Sequence, residues 1–518
     1  RIISKTGKVV INHLTLGGEL SISAASEVVL GSAQSMIDAR SLSIVAGKTI
    51  TVHEANELTI TRLESLEREA VTVVAGGSLV LDAAILAGQT HAVSLTTTQG
   101  AISVLQGIES YGGAITLQAQ QGLSLADAAD LTSSSGDITL DAGQGELKMS
   151  ADTEVKTGTG ALRLSALEAV TIGSLKTFSQ ADLVIAGQGV FVAAEDITDI
   201  IAPHATLKIR SSGGIGTLQN SIETQVKTMD LWNTGLGAIA VEEVDSVTIQ
   251  QVAQQAGGDV RIGTQAGNIE LLDVGKGISA TTGNVSLYAG QAAIRIAGDG
   301  IATQGGAATL VAERGDIVLD AGIRVAGAGH IALTASDGSI LTTSAASHWL
   351  TDAAGFDPDV QWVMDNGHFS VDAASGQIVA SGLTDAQADQ YQLSNGAVLR
   401  SAGGAYLQTR AGELTLLASG KIGEQVPGFT FSPLAIYADA ETVSAASSTR
   451  ANVSVLTTEA VQVGTALANA SSGSRGGATG IASLTGKQAY NSAADARGDD
   501  LSTASNDIDL KAPISRPP

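Results

Sequence analysis

The sequence predicts an all-β fold, a parallel β-helix (solenoid) with coils of about 20–24 residues and one irregular insertion. Three observations predict it: a recurring Gly-x-(Ile/Val/Leu)-x-(Leu/Ile/Val) motif, a common interval of 23 residues between its copies, and a composition rich in glycine and small aliphatic residues. Because one short strand cannot bury its own apolar side, short strands at a regular interval indicate that each coil covers the previous one.

The glycine motif has the alternation of apolar and polar positions that a β-strand requires. Glycine suits the corner that precedes each strand, because a residue without Cβ turns the chain at little cost. Gly77 and Gly100 are 23 residues apart, as are Gly113 and Gly136. Copies of the motif begin at Gly77, Gly100, Gly113, Gly136, Gly160, Gly258, Gly267, Gly283, Gly315, Gly329 and Gly412.

The composition favours a long aliphatic core over the other all-β architectures. Apolar residues make up 44% of the 518 residues, so a large core is available, but aromatic residues make up only 3%. Propeller blades carry aromatic signatures in repeats of about 40–45 residues. Immunoglobulin-like sandwich modules each bury an aromatic residue, and three Trp and six Tyr are too few for a series of them.

Charge and residue content exclude several classes of partner. The chain has 28 Lys and Arg against 52 Asp and Glu, a formal charge of −24, so we expect no nucleic-acid partner. No apolar window approaches about 18 residues, so we expect no membrane insertion. Cysteine is absent, which excludes disulfides. The chain begins at Arg1 without a Met, and we expect it to be a piece of a longer or processed polypeptide.

A longer repeat is superimposed on the short one. The segments Gly213 to Ile249 and Gly420 to Val463 both begin with Gly-x-Ile-Gly, continue through a loop and end in apolar strands. The two segments begin 207 residues apart, which indicates a super-repeat within a larger array.

The short strands and the Gly-x-Ile-Gly module together resemble the large bacterial exoproteins of the filamentous-haemagglutinin type, the giant surface adhesins. The resemblance covers about residues 1 to 463 and is one of pattern, without a catalytic signature. It implies a right-handed parallel β-helix, secretion to the bacterial cell surface, and a role in adhesion, biofilm or filament formation. The amino-terminal secretion domain of that family is not recognised in this chain.

The rhythm of the repeat divides the chain into four parts. Residues 1–341 carry β-helix repeats, and residues 342–400 form an irregular insertion or excursion in which the rhythm fails. Residues 401–466 carry further coils, and residues 467–518 are a Gly/Ala/Ser-rich linker or cap.

The insertion supplies one set of candidate binding residues. Trp349 and Trp362 lie there with Asp357 and Asp359, and aromatic rings with carboxylates suit a glycan or a cation. The alternative is a small excursion in which the two tryptophans fill a core of their own. Asp357 and Asp359 flank Pro358 without the Gly and the terminal Glu of a calcium loop, so we assign no metal site. Calcium bound loosely by acidic corners stays open, and no other cofactor is expected.

The tripeptide Arg-Gly-Asp, which animal integrins recognise, occurs twice. The copy at 314–316 begins a strand motif, so we interpret it as a corner of the scaffold. The copy formed by Arg497, Gly498 and Asp499 lies in the polar tail, where a host receptor can reach it, and is the second candidate binding site.

Two functions follow from these patterns. The first is a structural segment of a secreted bacterial surface adhesin or extracellular filament, an elongated rod for adhesion, biofilm or end-to-end self-assembly. The second is a secreted β-helical protein that binds or cleaves carbohydrate through the 342–400 insertion. We favour a non-enzymatic role, because aromatic platforms are scarce and several carboxylates fall in corners. At such corners, as at Asp137, Asp259 and Asp316, we expect the side chain to bond its own backbone in a turn.

Overall fold

We describe the protein from a computed structural model of the whole chain. The described residues are 1–342 without 194–197, 273–274 and 327–328, then 406–423 and 436–447. Beyond residue 342 the backbones of further short strands are also described, within the bounds given below. The chain divides into two compact units, Arg1–Val244 and Asp245–Pro518.

The described part of the first unit is built from short strands. They are β1 (Ile2–Ser4), β2 (Val9–Ile11), β3 (Thr15–Ala24), β4 (Val28–Leu30), β5 (Asp38–Ala46), β6 (Ile50–Glu54), β7 (Leu58–Ser65), β8 (Val71–Ala75), β9 (Leu79–Leu81), β10 (Ile85–Ala87), β11 (Val93–Thr97), β12 (Ile102–Val104), β13 (Ile108–Ser110), β14 (Ile115–Gln118), β15 (Leu123–Leu125), β16 (Leu131–Ser133), β17 (Ile138–Asp141), β18 (Leu147–Met149), β19 (Glu154–Thr157), β20 (Leu162–Ser165), β21 (Val170–Ile172), β22 (Ser174–Thr177), β23 (Leu183–Gly187), β24 (Val190–Val192), β25 (Ile200–Ser211), β26 (Ile222–Asn233) and β27 (Ile239–Glu243).

These strands line three faces of a coil, and on each face every strand pairs in parallel with the strand one coil later. The first face runs β1-β3-β5-β7-β9-β12-β15-β18-β21-β24. The second runs from β2 through β4, β6, β8, β11, β14, β17 and β20 to β23. The third runs from β10 through β13, β16 and β19 to β22. β25 and β26 turn the corner between the second and third faces.

The described strands of the second unit follow the same plan. They are β28 (Val247–Gln254), β29 (Val260–Thr264), β30 (Ile269–Leu271), β31 (Gly277–Ala280), β32 (Val285–Ala289), β33 (Ile294–Ile296), β34 (Ile301–Thr303), β35 (Ala308–Ala312), β36 (Ile317–Leu319), β37 (Ile323–Val325), β38 (Ile331–Ala335), β39 (Ile340–Thr342), β40 (His348–Leu350), β41 (Phe369–Val371), β42 (Ile378–Ala380), β43 (Arg400–Ser401), β44 (Tyr406–Ala418), β45 (Ile436–Ser447), β46 (Val453–Thr457), β47 (Val461–Ala468), β48 (Ala482–Thr485), β49 (Ala489–Asn491) and β50 (Ile508–Leu510).

The core consists of aliphatic side chains stacked on their counterparts one coil away. Val71 pairs with Val93, Val93 with Ile115, and Ile115 with Ile138, and all four side chains are buried. Alternate residues of each strand point inward, because successive side chains of a strand point to opposite faces. The prediction of a β-helix is confirmed, and the glycine motifs that begin at Gly77, Gly100 and Gly315 become strands with a buried, half-buried, buried pattern.

Coil length varies along the chain. Ile85 pairs with Ile108, which is 23 residues later, and this offset is common. The shortest offset among the described strand pairs is 18, between Ser41 and Thr59. Outside the excursion, the longest offset among the described strand pairs is 31, between Tyr406 and Tyr437. Corners of different length absorb part of this variation, and register shifts within the β3–β5, β5–β7 and β25–β26 pairs absorb another part.

In the second unit the stack resumes after a long excursion. Ile317 pairs with Ile340, but Ile340 bridges to Ile422, 82 residues later. Between Thr342 and β44, the strands β40 to β43 pair antiparallel in the order β41-β42-β40-β43.

The super-repeat is present as a repeated succession of strands. β25 and β26 are each 12 residues long, and β44 and β45 are 13 and 12 residues long. β27 and β46 have five residues each, and β28 and β47 have eight. The described residues contain no helix of the length and apolar character needed to cross a membrane.

Candidate functional site

Polar residues at the corners form ladders between coils. In the glycine motif the residue after Gly is often Asp or Asn, and its side chain accepts a hydrogen bond from the equivalent backbone N–H of the next coil. Asp137 Oδ1 accepts from Ala161 N at 2.8 Å, and Asp316 Oδ1 accepts from Ser339 N at 2.7 Å. The sequence interpretation, in which these side chains bond their own backbone, is wrong. They are structural acceptors that tie one coil to the next.

A second ladder lies inside the corners that read Ser/Thr-x-x-Gly. Thr157 Oγ1 donates to Gly136 O at 2.9 Å and accepts from Gly160 N at 3.1 Å. Ser133 Oγ similarly accepts from Gly136 N at 2.9 Å. These hydroxyls are buried, so each one satisfies backbone groups that would otherwise lose hydrogen bonds to water.

Two fully buried glutamates end five-residue strands. Glu54 accepts from Ala39 N at 3.0 Å and from Asn56 N at 2.6 Å. Glu243 accepts from Thr224 Oγ1 at 2.7 Å and from Val226 N at 3.1 Å. Burial raises the pKa of Glu54, and its backbone hydrogen bonds oppose that rise. These partners are backbone and hydroxyl groups of the scaffold, so both glutamates have structural roles.

The third face of the first unit contains a pair of carboxyl groups from adjacent coils. Asp199 is fully buried, and its Oδ2 accepts from Glu223 N at 2.8 Å. Asp199 Oδ1 and Glu223 Oε2 are both buried acceptors for which no described donor is present. Two carboxylates only accept hydrogen bonds, so a hydrogen bond between these side chains requires a proton shared between the two groups. Burial raises the pKa of Asp199 to about 8, and a side-chain hydrogen bond to Glu223 and the negative charge of Glu223 add to the rise, while the hydrogen bond from the backbone N–H of Glu223 opposes it.

A groove of about 560 Å³ lies at the end of the second face of the same unit. Ala166 and Gly187, which have little or no side chain, line it and leave room between the larger residues. Trp232 and Arg210 form one wall, and Leu167, 62% exposed, stands on the rim. The groove is open to solvent.

The wall of the groove is held in place by an ion pair. Arg210 and Trp232 are directly paired residues of β25 and β26, and both point outward because their neighbours Ser211 and Asn233 are buried. Arg210 Nη2 donates to Asp230 Oδ2 at 2.6 Å, and Nη1 donates to Asp230 O at 2.8 Å. Asp230 therefore neutralises the guanidinium and fixes its plane beside the indole.

Most sequence-predicted site residues lie outside the described residues. This holds for Trp362, Asp357 and Asp359, and for the tripeptide at 497–499; of Trp349 only the backbone, in β40, is described. These candidates stay predictions.

The tripeptide at 314–316 is described and lies at a corner. Arg314 is exposed, whereas Asp316 is engaged by Ser339 and its carbonyl accepts from Ile294 N at 3.0 Å. Asp316 is therefore part of the scaffold between two coils.

In the part of the chain that the structure describes, no three His, Asp or Glu side chains come together as metal ligands. Comparisons of the chain with protein-family models, with curated proteins and with solved structures find no match. The fold defines the class of the protein, a β-solenoid, and the groove is a described concavity with an aromatic wall.

Sequence reasoning missed the groove and the carboxyl pair. Trp232 is the tryptophan outside the insertion, in a chain with three, and that isolation is a signal that points to it. Asp199 and Glu223 are 24 residues apart, one coil, but corner lengths vary too much for their contact to be read from spacing.

Proposed function

We propose that the chain is a structural segment of a secreted bacterial surface adhesin or extracellular filament, located at the cell surface or outside the cell. In this role it forms an elongated rod that serves adhesion, biofilm formation or end-to-end self-association. We propose no catalytic role for it and no resident cofactor.

The observation that carries the proposal is that backbone groups and corner side chains form hydrogen bonds between neighbouring coils. The hydrogen bond from Ser339 N to Asp316 is an example. Such a stack is extended by adding coils, and it presents its outward residues and insertions at regular intervals. A polypeptide of this kind suits a spacer that displays binding surfaces away from a cell.

The resemblance to filamentous-haemagglutinin-type exoproteins supports the same role, because it rests on the glycine strands and on the Gly-x-Ile-Gly module. The net charge of −24 supports a soluble, self-repelling surface that associates through its ends or through defined sites. The carbohydrate-directed alternative through residues 342–400 stays a prediction, since its side chains lie outside the described residues.

Surface display tests the proposal. The full chain is fused to an outer-membrane anchor on a non-adherent bacterium, and attachment to epithelial cells and biofilm mass are measured. The matched control is the same fusion carrying Ile138→Asp, which places a charge in the core and breaks the stack. We expect attachment or biofilm mass to increase with the native chain and not with the control. Equal values for the two fusions, or release of reducing sugar from polysaccharide by the chain, would contradict the proposed role.

A further inference from the structure

We infer that the groove between Leu167 and Trp232 is a binding site for a neutral glycan, with Trp232 as the platform for one sugar ring. This inference concerns a site within the first unit. It holds whether or not the chain serves as an adhesin segment.

The first argument is that the scaffold does not require Trp232. The super-repeat places Leu417 and Ala446 at the positions that Arg210 and Trp232 occupy, and these residues pair with each other in β44 and β45. The same succession of strands therefore forms with an alanine at this position. A large aromatic ring that the fold does not need, held half-exposed beside a groove, points to a ligand.

The second argument is the chemistry of the lining. The indole ring offers an apolar face to the C–H groups of a pyranose. At the rim, Gln188, Ser212 and Thr234 are exposed and offer both donors and acceptors. Sugar hydroxyl groups also donate and accept, so an aromatic platform with an amide and hydroxyls around it matches a sugar unit on both counts.

The third argument concerns charge. Arg210 is the cation of the groove, and its ion pair with Asp230 compensates it. The chain as a whole carries −24, which repels acidic polysaccharides at long range. Both facts favour a glycan without carboxylate or sulfate groups.

The fourth argument distinguishes a glycan from a peptide. An extended peptide binds a β-protein most readily by pairing with a free backbone edge. Here the backbone is already used: Ser212 N donates to Gln188 O at 3.1 Å, and Thr234 N donates to Ser211 O at 2.9 Å. The groups left for a ligand are side chains, which suits a sugar better than a peptide strand.

Calorimetry on the full chain tests the inference, with cellohexaose, laminarihexaose and mannohexaose as neutral probes and oligogalacturonate as the acidic one. We expect at least one neutral hexasaccharide to bind. Trp232→Ala should weaken that binding by about tenfold or more, and Trp232→Phe should keep it within about threefold. Phe178→Ala removes an exposed aromatic ring at a different corner and should bind as the native chain does.

A second variant separates loss of the site from loss of the fold. Ser212 is on the exposed rim, so Ser212→Tyr fills the groove without disturbing the core, and it should abolish binding while circular dichroism stays unchanged. The inference is overturned if no neutral hexasaccharide binds, if oligogalacturonate alone binds, or if Ser212→Tyr or a folded Trp232→Ala binds as well as the native chain.

Discussion

Replacing Asp199 by Asn should remove the pH dependence of stability that the buried carboxyl pair gives to the coils around it. In the folded chain, burial and the side-chain hydrogen bond to Glu223 raise the pKa of Asp199 from the ordinary value of 3.8 to about 8. Between these two values the folded chain holds a proton that the unfolded chain has released. Stability is therefore greatest at low pH with respect to this group, falls as the pH rises towards 8, and is constant above it.

The magnitude follows from the single proton involved. The folded and unfolded chains differ by at most one bound proton at this group. Each pH unit inside this interval therefore lowers the free energy of unfolding by at most about 1.4 kcal/mol. The equilibrium constant for opening of the affected coils then rises by at most about tenfold per pH unit. Asn at position 199 cannot ionise, and its amide can donate to Glu223 in place of the shared proton.

Hydrogen–deuterium exchange with mass spectrometry measures this effect on peptides from β25 and β26, after correction for the intrinsic pH dependence of exchange. The protection of the native chain and that of Asp199→Asn should be most alike at about pH 4, and the native chain should lose protection relative to the variant as the pH rises towards 8. Asp152→Asn, an exposed aspartate on another coil, should follow the native chain. If Asp199→Asn keeps the native slope, the carboxyl pair does not share a proton and the reasoning fails.

Three further pairs of substitutions test the corners and one buried acid, with urea unfolding followed by circular dichroism as the measurement. Gly136→Ala places a Cβ 2.1 Å from a backbone oxygen of the preceding coil and should destabilise by about 2 kcal/mol or more, whereas Gly17→Ala meets nothing within 4 Å and should change stability by under about 1 kcal/mol. Thr157→Val should lower the free energy of unfolding by about 1–3 kcal/mol, because buried backbone groups lose their hydrogen-bond partner. Thr139 points outward, so Thr139→Val should change it little. Equal losses for the two variants would contradict the structural role of the corner hydroxyls. Glu54→Leu should lower the free energy of unfolding by about 1–3 kcal/mol, because two backbone N–H groups lose their acceptor. Glu54→Gln should lower it by less. The reverse order would show that the buried carboxylate destabilises the fold.

The strands were predictable because their causes are local. In "GDIVL" from Gly315, the glycine marks the corner and the alternation of Ile317 and Leu319 marks the buried side, and β36 begins at Ile317. The common offset of 23 residues between glycines also indicated which strands pair. The period of the sequence predicts the pairing because every coil must bury one face of its short strands against the next coil.

The roles of single polar residues were not predictable in the same way. Asp316 has the same sequence context whether its side chain bonds its own backbone or the next coil, and only the stacked structure places Ser339 N at 2.7 Å from it. The binding residues predicted at 349–362 and 497–499 stay untested. The groove at Trp232 was missed because its lining comes from four successive coils.

The sequence by itself determined the class of fold, a stack of short parallel strands, because glycine corners and alternating aliphatic residues recur at a nearly constant interval. The tertiary structure alone decided which side chains meet across coils: Asp199 with Glu223, and Arg210 beside Trp232. The physical reason is that coil length varies from 18 to 31 residues outside the excursion, so a contact between neighbouring coils depends on how each corner accommodates its extra residues.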